Sequence, residues 1–268
     1  MKQRGKLMLV QPALEPVHFS RLKRIEKSPL HYAEGSIEET GAIRKGTAVH
    51  AYMLGGADKV VVYTGGNRDD RIEKWRDFKV EHAGKKILIP SEVRAVEGMR
   101  RSLEKHQRAM DLLDDGVQEN LITWSLKGRA CAGTPDVVRP KNGRKRLVEL
   151  KTDQSAAPWH FKFKARKFAY HAQVNWYETG LGLCSQYEPG PVDEVFFVVV
   201  ESTAPYPVTV IEVGECIRRQ GRAVWEPWLD ELLECERRQK FPAYVDDVVP
   251  WTADEDSDGL SWEAPAAE

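Results

Sequence analysis

The stretch GTPDVVRPKNGRKRLVELKT, residues 133–152, decides the fold. Asn142-Gly143 is a strong signal for a two-residue hairpin turn, and apolar β-forming runs flank it. The reading is therefore a strand over 130–139, a turn, and a returning strand over 146–152. That hairpin lays Asp136 beside Glu149. Side chains alternate between the two faces of a strand, so Glu149 and Lys151 share one face and Val148 and Leu150 point to the other. Two carboxylates and an ammonium on one sheet face form an unusual group, because unpaired carboxylates are costly to bury.

The chain outward from this hairpin divides into helices, then strands, then a mixture. Residues 18–33 read as a helix interrupted at Ser28-Pro29, and 44–54 as a short helix with Ala48, Ala51, Tyr52 and Leu54 inward. Residues 58–64 read as a strand, 69–82 as a polar helix and 86–89 as a short extended piece. Ser91 is the expected N-cap of a helix running to about Leu113. Residues 119–126 alternate as a strand, and Phe161–Leu181 reads as one helix closed by Gly180 or Gly182. The run EVFFVVVE, 194–201, is too apolar for an exposed strand and is expected at the centre of the sheet. Residues 208–213 pair back on it. A helix follows over 215–240, broken or kinked at Pro227. The fold class is α+β: a mixed central sheet flanked by helices, in one domain over residues 1–245, followed by an acidic tail over 246–268.

Composition bounds the function. The 268 residues are 41% hydrophobic and 30% charged, with a formal net charge of −1. A chain of this length builds enough core to fold without a structural metal or disulfides. No apolar stretch approaches the length of a membrane span, and the apolar patch near the N-terminus ends at Gln11-Pro12, too early for a signal peptide. The four cysteines, Cys131, Cys184, Cys216 and Cys235, form no C-x-x-C pair, which suits reduced thiols in a cytoplasmic protein. The near-zero net charge is a cancellation. Eight acidic residues follow Lys240 with no Lys or Arg among them, so the body over 1–242 carries a net charge of +7. Ten Lys and Arg fall between Arg139 and Lys167 against only Glu149 and Asp153. Such a cluster is a solvated surface or a phosphate-binding footprint.

A hard divalent cation satisfies a carboxylate pair such as Asp136 and Glu149, and Mg2+ keeps waters and accepts phosphate oxygens. That is an arrangement for phosphodiester hydrolysis, with Lys151 orienting or deprotonating the attacking water and offsetting developing charge. Gln173 and Tyr177 lie four apart on the following helix and so on one face. Taken alone, the three hairpin residues read as an ordinary exposed polar face, and His50 as a satisfied core histidine.

The motif P-D-(x12)-E-L-K followed by Q-x-x-x-Y resembles the PD-(D/E)XK nuclease superfamily, and most nearly its RecE-type exonucleases (exonuclease eight) and their phage-encoded relatives. The opening helix, with Ser20, Leu22, Lys23, Ser28, Pro29, His31 and Tyr32, is similar to theirs. So are the segment Lys45–His50 and the stretch from Glu119 to Asp136. The iron–sulfur nucleases of the superfamily are a poor match, since these cysteines are not clustered near the C-terminus.

The resemblance implies a Mg2+-dependent DNA exonuclease, with Mn2+ substituting, one or two ions per site, and double-stranded ends digested 5′→3′. Asp136, Glu149 and the Leu150 carbonyl would be metal ligands, with His50 and Glu119 completing the site. Lys151 would be the catalytic lysine, joined by Gln173 and Tyr177. Arg129 would meet a phosphate, and the basic cluster supplies Arg144, Lys145, Lys162, Lys164 and Lys167 as DNA contacts. The implied partners are a single-strand annealing protein and further copies of the chain in a ring-like trimer or tetramer. Two other readings remain open: a structure-specific or nicking endonuclease on the same core, and a catalytically idle DNA-binding recombination accessory. The acidic tail is a solubilising segment or a DNA mimic anchored by Trp251 and Trp262.

Overall fold

The computed structural model describes residues 15–35, 39–140, 144–188, 190–245 and 248. The tail with Trp251 and Trp262 lies outside the described residues, as does the Asn142-Gly143 turn. The chain opens with β1 (Val17–His18), α1 (Phe19–Leu22) and α2 (Pro29–Glu34). Ser28 breaks the helical run as expected, because its side chain caps α2 by accepting the His31 N–H ahead of Pro29. Next come α3 (Gly41–Met53), β2 (Val60–Val62), α4 (Glu73–Glu81) and β3 (Lys86–Leu88), followed by α5 (Pro90–Lys105) and α6 (Gln107–Leu113). The centre holds β4 (Val117–Gln118), β5 (Ile122–Leu126), β6 (Arg129–Gly133), β7 (Val137–Arg139) and β8 (Lys145–Asp153). The chain continues with α7 (Pro158–Lys167), α8 (Tyr170–Leu183), β9 (Val192–Glu201), β10 (Val208–Glu212) and α9 (Glu215–Arg238).

The principal sheet has the order β10-β9-β8-β7-β4 and is mixed: β8 and β9 run parallel, the other neighbours antiparallel. The hairpin pairing is present, with Val137 opposite Val148 and Val138 opposite Leu147. The run 194–201 is central, as its apolarity requires, and is flanked by β8 and β10. Alternation sends the two sides of this sheet into two cores. Leu147, Val195, Phe197 and Val199 face a core shared with α7, α8 and α9, where Trp176 and Trp225 meet edge-on at 5.2 Å. Val148, Leu150, Val198 and Val200 face a second core built with α3, α5 and α6. One sheet serves both cores, so the described residues form a single domain.

Several local expectations are corrected. The strand expected over 130–139 is two strands in two sheets. Pro135 has no N–H for a ladder, and the chain crosses there from the β1-β6-β5 sheet to the principal one. The helix expected over 161–181 is α7 and α8, divided at Phe168-Ala169, where Ala169 adopts a left-handed conformation with φ 55°. Gly180 lies inside α8 because its missing Cβ makes room for the Trp124 ring, and the helix ends at Leu183. Ser91 is not the cap of α5. The helix starts at Pro90, and Glu92 reaches back to accept the Ile89 N–H at 3.1 Å. The expected single helix to Leu113 breaks at His106, whose Nδ1 accepts the Ala109 N–H and starts α6. Tyr52 is on the exposed side of α3, while Ala48, Ala51 and Leu54 are inward. α9 runs through Pro227, held by Trp225, Leu229 and Leu232 in the core. Cys131, Cys184 and Cys235 are buried free thiols, and Cys216 is an exposed one. No helix among the described residues is long and apolar enough to cross a membrane.

Candidate active site

β7 and β8 bring the hairpin residues together. Asp136 stands one step before the Val137–Val148 pair, and its N–H donates to Glu149 Oε1 at 3.2 Å. Its own carboxylate answers, Oδ2 accepting the Leu150 N–H at 2.7 Å. Each carboxylate is thus fixed by the other strand's backbone, a cross-brace that needs both strands in this register. Lys151 Nζ donates to Glu149 Oε2 at 2.8 Å and lies 5.3 Å over the Tyr170 ring. Glu149 is only 1% exposed.

This environment sets the charges. Burial, and next the neighbouring Asp136, push the Glu149 carboxyl up to about 7. Burial also disfavours the ionised Asp136, but His50 and Lys151 outweigh it and hold that carboxyl below its usual range. Burial alone would lower the His50 pKa; Asp136, 3.4 Å from His50 Nδ1, more than reverses this. Lys151 is likewise desolvated, yet Glu149 and Asp136 raise its pKa and keep it an ammonium. Tyr177 is raised mainly by burial and stays a phenol.

A stability prediction follows from Glu149. Its folded pKa is above the ordinary 4.5, so the protonated carboxyl contributes stability below that value, and the contribution is lost as pH rises through about 7. Glu149→Gln, a permanent mimic of the protonated form, is expected to raise the melting temperature in EDTA at pH 8 and to change it little at pH 4.5. At this chain length the gain is about 2–4 °C per kcal/mol. Equal effects at both pH values would refute the assignment.

The remaining expected residues divide. Gln173 Nε2 donates to the Tyr177 hydroxyl at 3.1 Å on α8, the pair facing the site. Glu119 has φ 44°, and its N–H donates to the Asp136 carbonyl at 2.9 Å, so a left-handed turn between β4 and β5 delivers it beside Asp136. His50 and Glu119 line one cleft of about 370 Å³. His50 reaches the carboxylate pair through Asp136, 3.4 Å away, whereas the Glu119 side chain turns to a cation. Glu119 Oε2 faces Lys59 at 3.8 Å, and no three His, Cys, Asp or Glu side chains among the described residues gather as a metal set. The donors that do converge fit a small hard cation. Two neighbouring buried carboxylates repel each other, and Mg2+ is commonly held by one or two carboxylates with water.

The basic residues also divide. Arg129, expected on a phosphate, is buried and pairs with Glu236 at 3.1 Å while donating to the Glu15 carbonyl. Lys145 is buried too, donating to the Leu181 and Gly190 carbonyls at 3.1 Å each. Both tie elements together and are not available to DNA. Lys164 is bound to Asp153 at 2.7 Å. Arg144, Lys162 and Lys167 are exposed. Lys59 and Lys86, which line the cleft with His50 and Glu119, were not anticipated. They come from a turn and a two-stranded sheet far from the motif, and nothing in the sequence marks them.

Residues 18–248 match a family described as a PDDEXK-like domain of unknown function (DUF3799). The chain belongs to this PDDEXK-like family. The expected PD-(D/E)XK superfamily is thereby borne out. A solved structure from Eubacterium rectale, provisionally named an exonuclease, matches with a TM-score of 0.63 at 14% identity, covering 97% of this chain and 100% of that one. That likeness is one of fold. An alkaline exonuclease from Laribacter hongkongensis is 16% identical over 72% of this chain and 95% of its own, with a TM-score of 0.30. No curated protein matches the chain significantly.

Proposed function

We propose that this PDDEXK-like chain is a divalent-metal-dependent exonuclease acting on double-stranded DNA ends. The observation that carries the reading is the cross-braced Asp136–Glu149 pair with Lys151 bonded to it. Asp136, Glu149 and the Leu150 carbonyl are the residues to hold Mg2+, or Mn2+ in its place. When bound, the ion supplies Lewis-acid polarisation of the phosphodiester and neutralises its developing charge. Lys151, an ammonium here, orients the attacking water and offsets negative charge on the pentacovalent phosphorus. His50 braces Asp136 through Oδ1, and Gln173 and Tyr177 wall the site. Arg144, Lys162 and Lys167 serve as phosphate contacts that position DNA without reading its sequence.

The finer parts of the proposal rest on the RecE-type resemblance. They are 5′→3′ polarity, a role in phage-type recombination in the host cytoplasm, a single-strand annealing partner, and a ring-like trimer or tetramer. The body over 1–245 carries the nuclease and 246–268 the acidic tail. The test compares an end-labelled linear duplex with a covalently closed circle, each with Mg2+. The expected result is nucleotide release from the linear duplex and an intact circle. Cutting of the circle transfers the assignment to an endonuclease, and no cleavage of either DNA refutes nuclease activity.

A further inference from the structure

α7 carries two large aromatic side chains on its outer side. Trp159 is 76% exposed and Phe163 68%. They are four residues apart, so they share one helix face, roughly 6 Å apart along the axis. Phe161 and Ala165 supply the inward face, so the outer pair is not needed to dock the helix. Exposed Lys162, Arg166 and Lys167 flank the pair, and α7 contains no acidic residue. Aromatic faces interleaved with cations are the chemistry of single-strand binding: bases stack on the rings and phosphates meet the cations, whatever the sequence.

The helix is also placed beside the candidate site. Lys164 ties it to Asp153, which lies two residues beyond Lys151 on β8 and on the same face. α8 begins immediately after α7 with Tyr170, the ring beneath the Lys151 ammonium. α7 therefore adjoins the end of β8 that follows the candidate site.

We propose that α7 holds an unpaired DNA strand at the end being processed, with neighbouring bases stacked on Trp159 and Phe163 and phosphates on Lys162, Arg166 and Lys167. The choice of DNA rests on the nuclease reading above; the stacking chemistry does not. The experiment measures binding in EDTA by fluorescence anisotropy, using labelled 20-residue oligothymidylate and a blunt duplex of equal length. It compares wild type with Trp159→Ala/Phe163→Ala and with Trp159→Tyr/Phe163→Tyr, each checked for solution mass and melting temperature. Alanine at both positions is expected to weaken single-strand binding at least tenfold and duplex binding less than threefold. Tyrosine, which keeps the ring faces, restores single-strand binding to within threefold. Unchanged single-strand binding overturns the proposal. So does equal loss on both DNAs, and so does a changed solution mass, which would make the face a contact between copies. Absence of cleavage by wild type, with the selective single-strand loss intact, refutes the nuclease reading and leaves this site standing.

Discussion

Lys151→Ala is expected to lower DNA cleavage by about a hundred- to a thousandfold, the usual consequence of removing one pre-oriented charge donor from a reacting centre. The fold should survive. Removing one partner of a buried ion pair ordinarily costs about 3–5 kcal/mol, because the other charge is stranded. Here the stranded group is Glu149, whose carboxyl already sits at about 7 with Lys151 present. It takes up a proton near neutral pH and escapes most of that penalty. Asp136→Ala should abolish cleavage by a different route. It removes a proposed ligand and also the acceptor of the Leu150 N–H, so the cross-brace between β7 and β8 is lost. The two variants separate in a metal-binding measurement. Lys151→Ala should retain the thermal shift on adding Mg2+ or Ca2+, and Asp136→Ala should lose it. Wild-type cleavage rates in either variant would remove these residues from the chemistry.

What the sequence made legible here, and what it hid, follows the range of the interactions. Asp136, Glu149 and Lys151 were legible because a short hairpin and strand alternation set their relation, and both act within a few residues. The split of 130–139 between two sheets was marked by Pro135, though the β-rich run around it reads as continuous. The fates of Arg129 and Lys145 were not legible. Their partners are brought in from distant parts of the chain: Glu236 by α9, the Leu181 carbonyl by α8 and the Gly190 carbonyl by the loop ahead of β9. Counting cations placed both in a DNA footprint, whereas their burial makes them internal ties. The break at Ala169 was also hidden. Neither glycine nor proline announces it, and an unbroken helix over 161–181 leaves Trp159 outside and conceals that Trp159 and Phe163 share one exposed face of a separate helix, α7. Glu119 was recognised by its motif, but the left-handed turn that aims it into the cleft was not visible.

Gly221→Ala is expected to be among the most destabilising single-methyl additions to the fold. On an open helix face the change would help, since alanine is favoured over glycine by about 1 kcal/mol. Gly221 is instead where α9 crosses α8. An added Cβ would overlap the His171 carbonyl oxygen and lie 2.7 Å from its carbon and 3.0 Å from the Ala172 Cα. These are backbone atoms, so no rotamer relieves the contact and the helices must separate. Separation loosens the edge-on contact of Trp176 with Trp225, the Trp225 Nε1 hydrogen bond to Asn175 at 2.8 Å, and the Arg218–Glu178 ion pair. Overpacking of this kind costs typically 1–3 kcal/mol and more where backbone must move, which exceeds the propensity gain. A net loss of about 2 kcal/mol, or roughly 4–8 °C in melting temperature, is expected. Gly214→Ala is the matched control. Gly214 has φ −61° and open space where the Cβ would stand, so its change should stay within a few tenths of a kcal/mol. Because α8 also carries Gln173 and Tyr177, the Gly221 variant should lose cleavage activity beyond its loss of folded protein, while Gly214→Ala keeps it. Equal melting temperatures for the two variants would show that α8 and α9 can part without cost, contrary to the close backbone approach at their crossing.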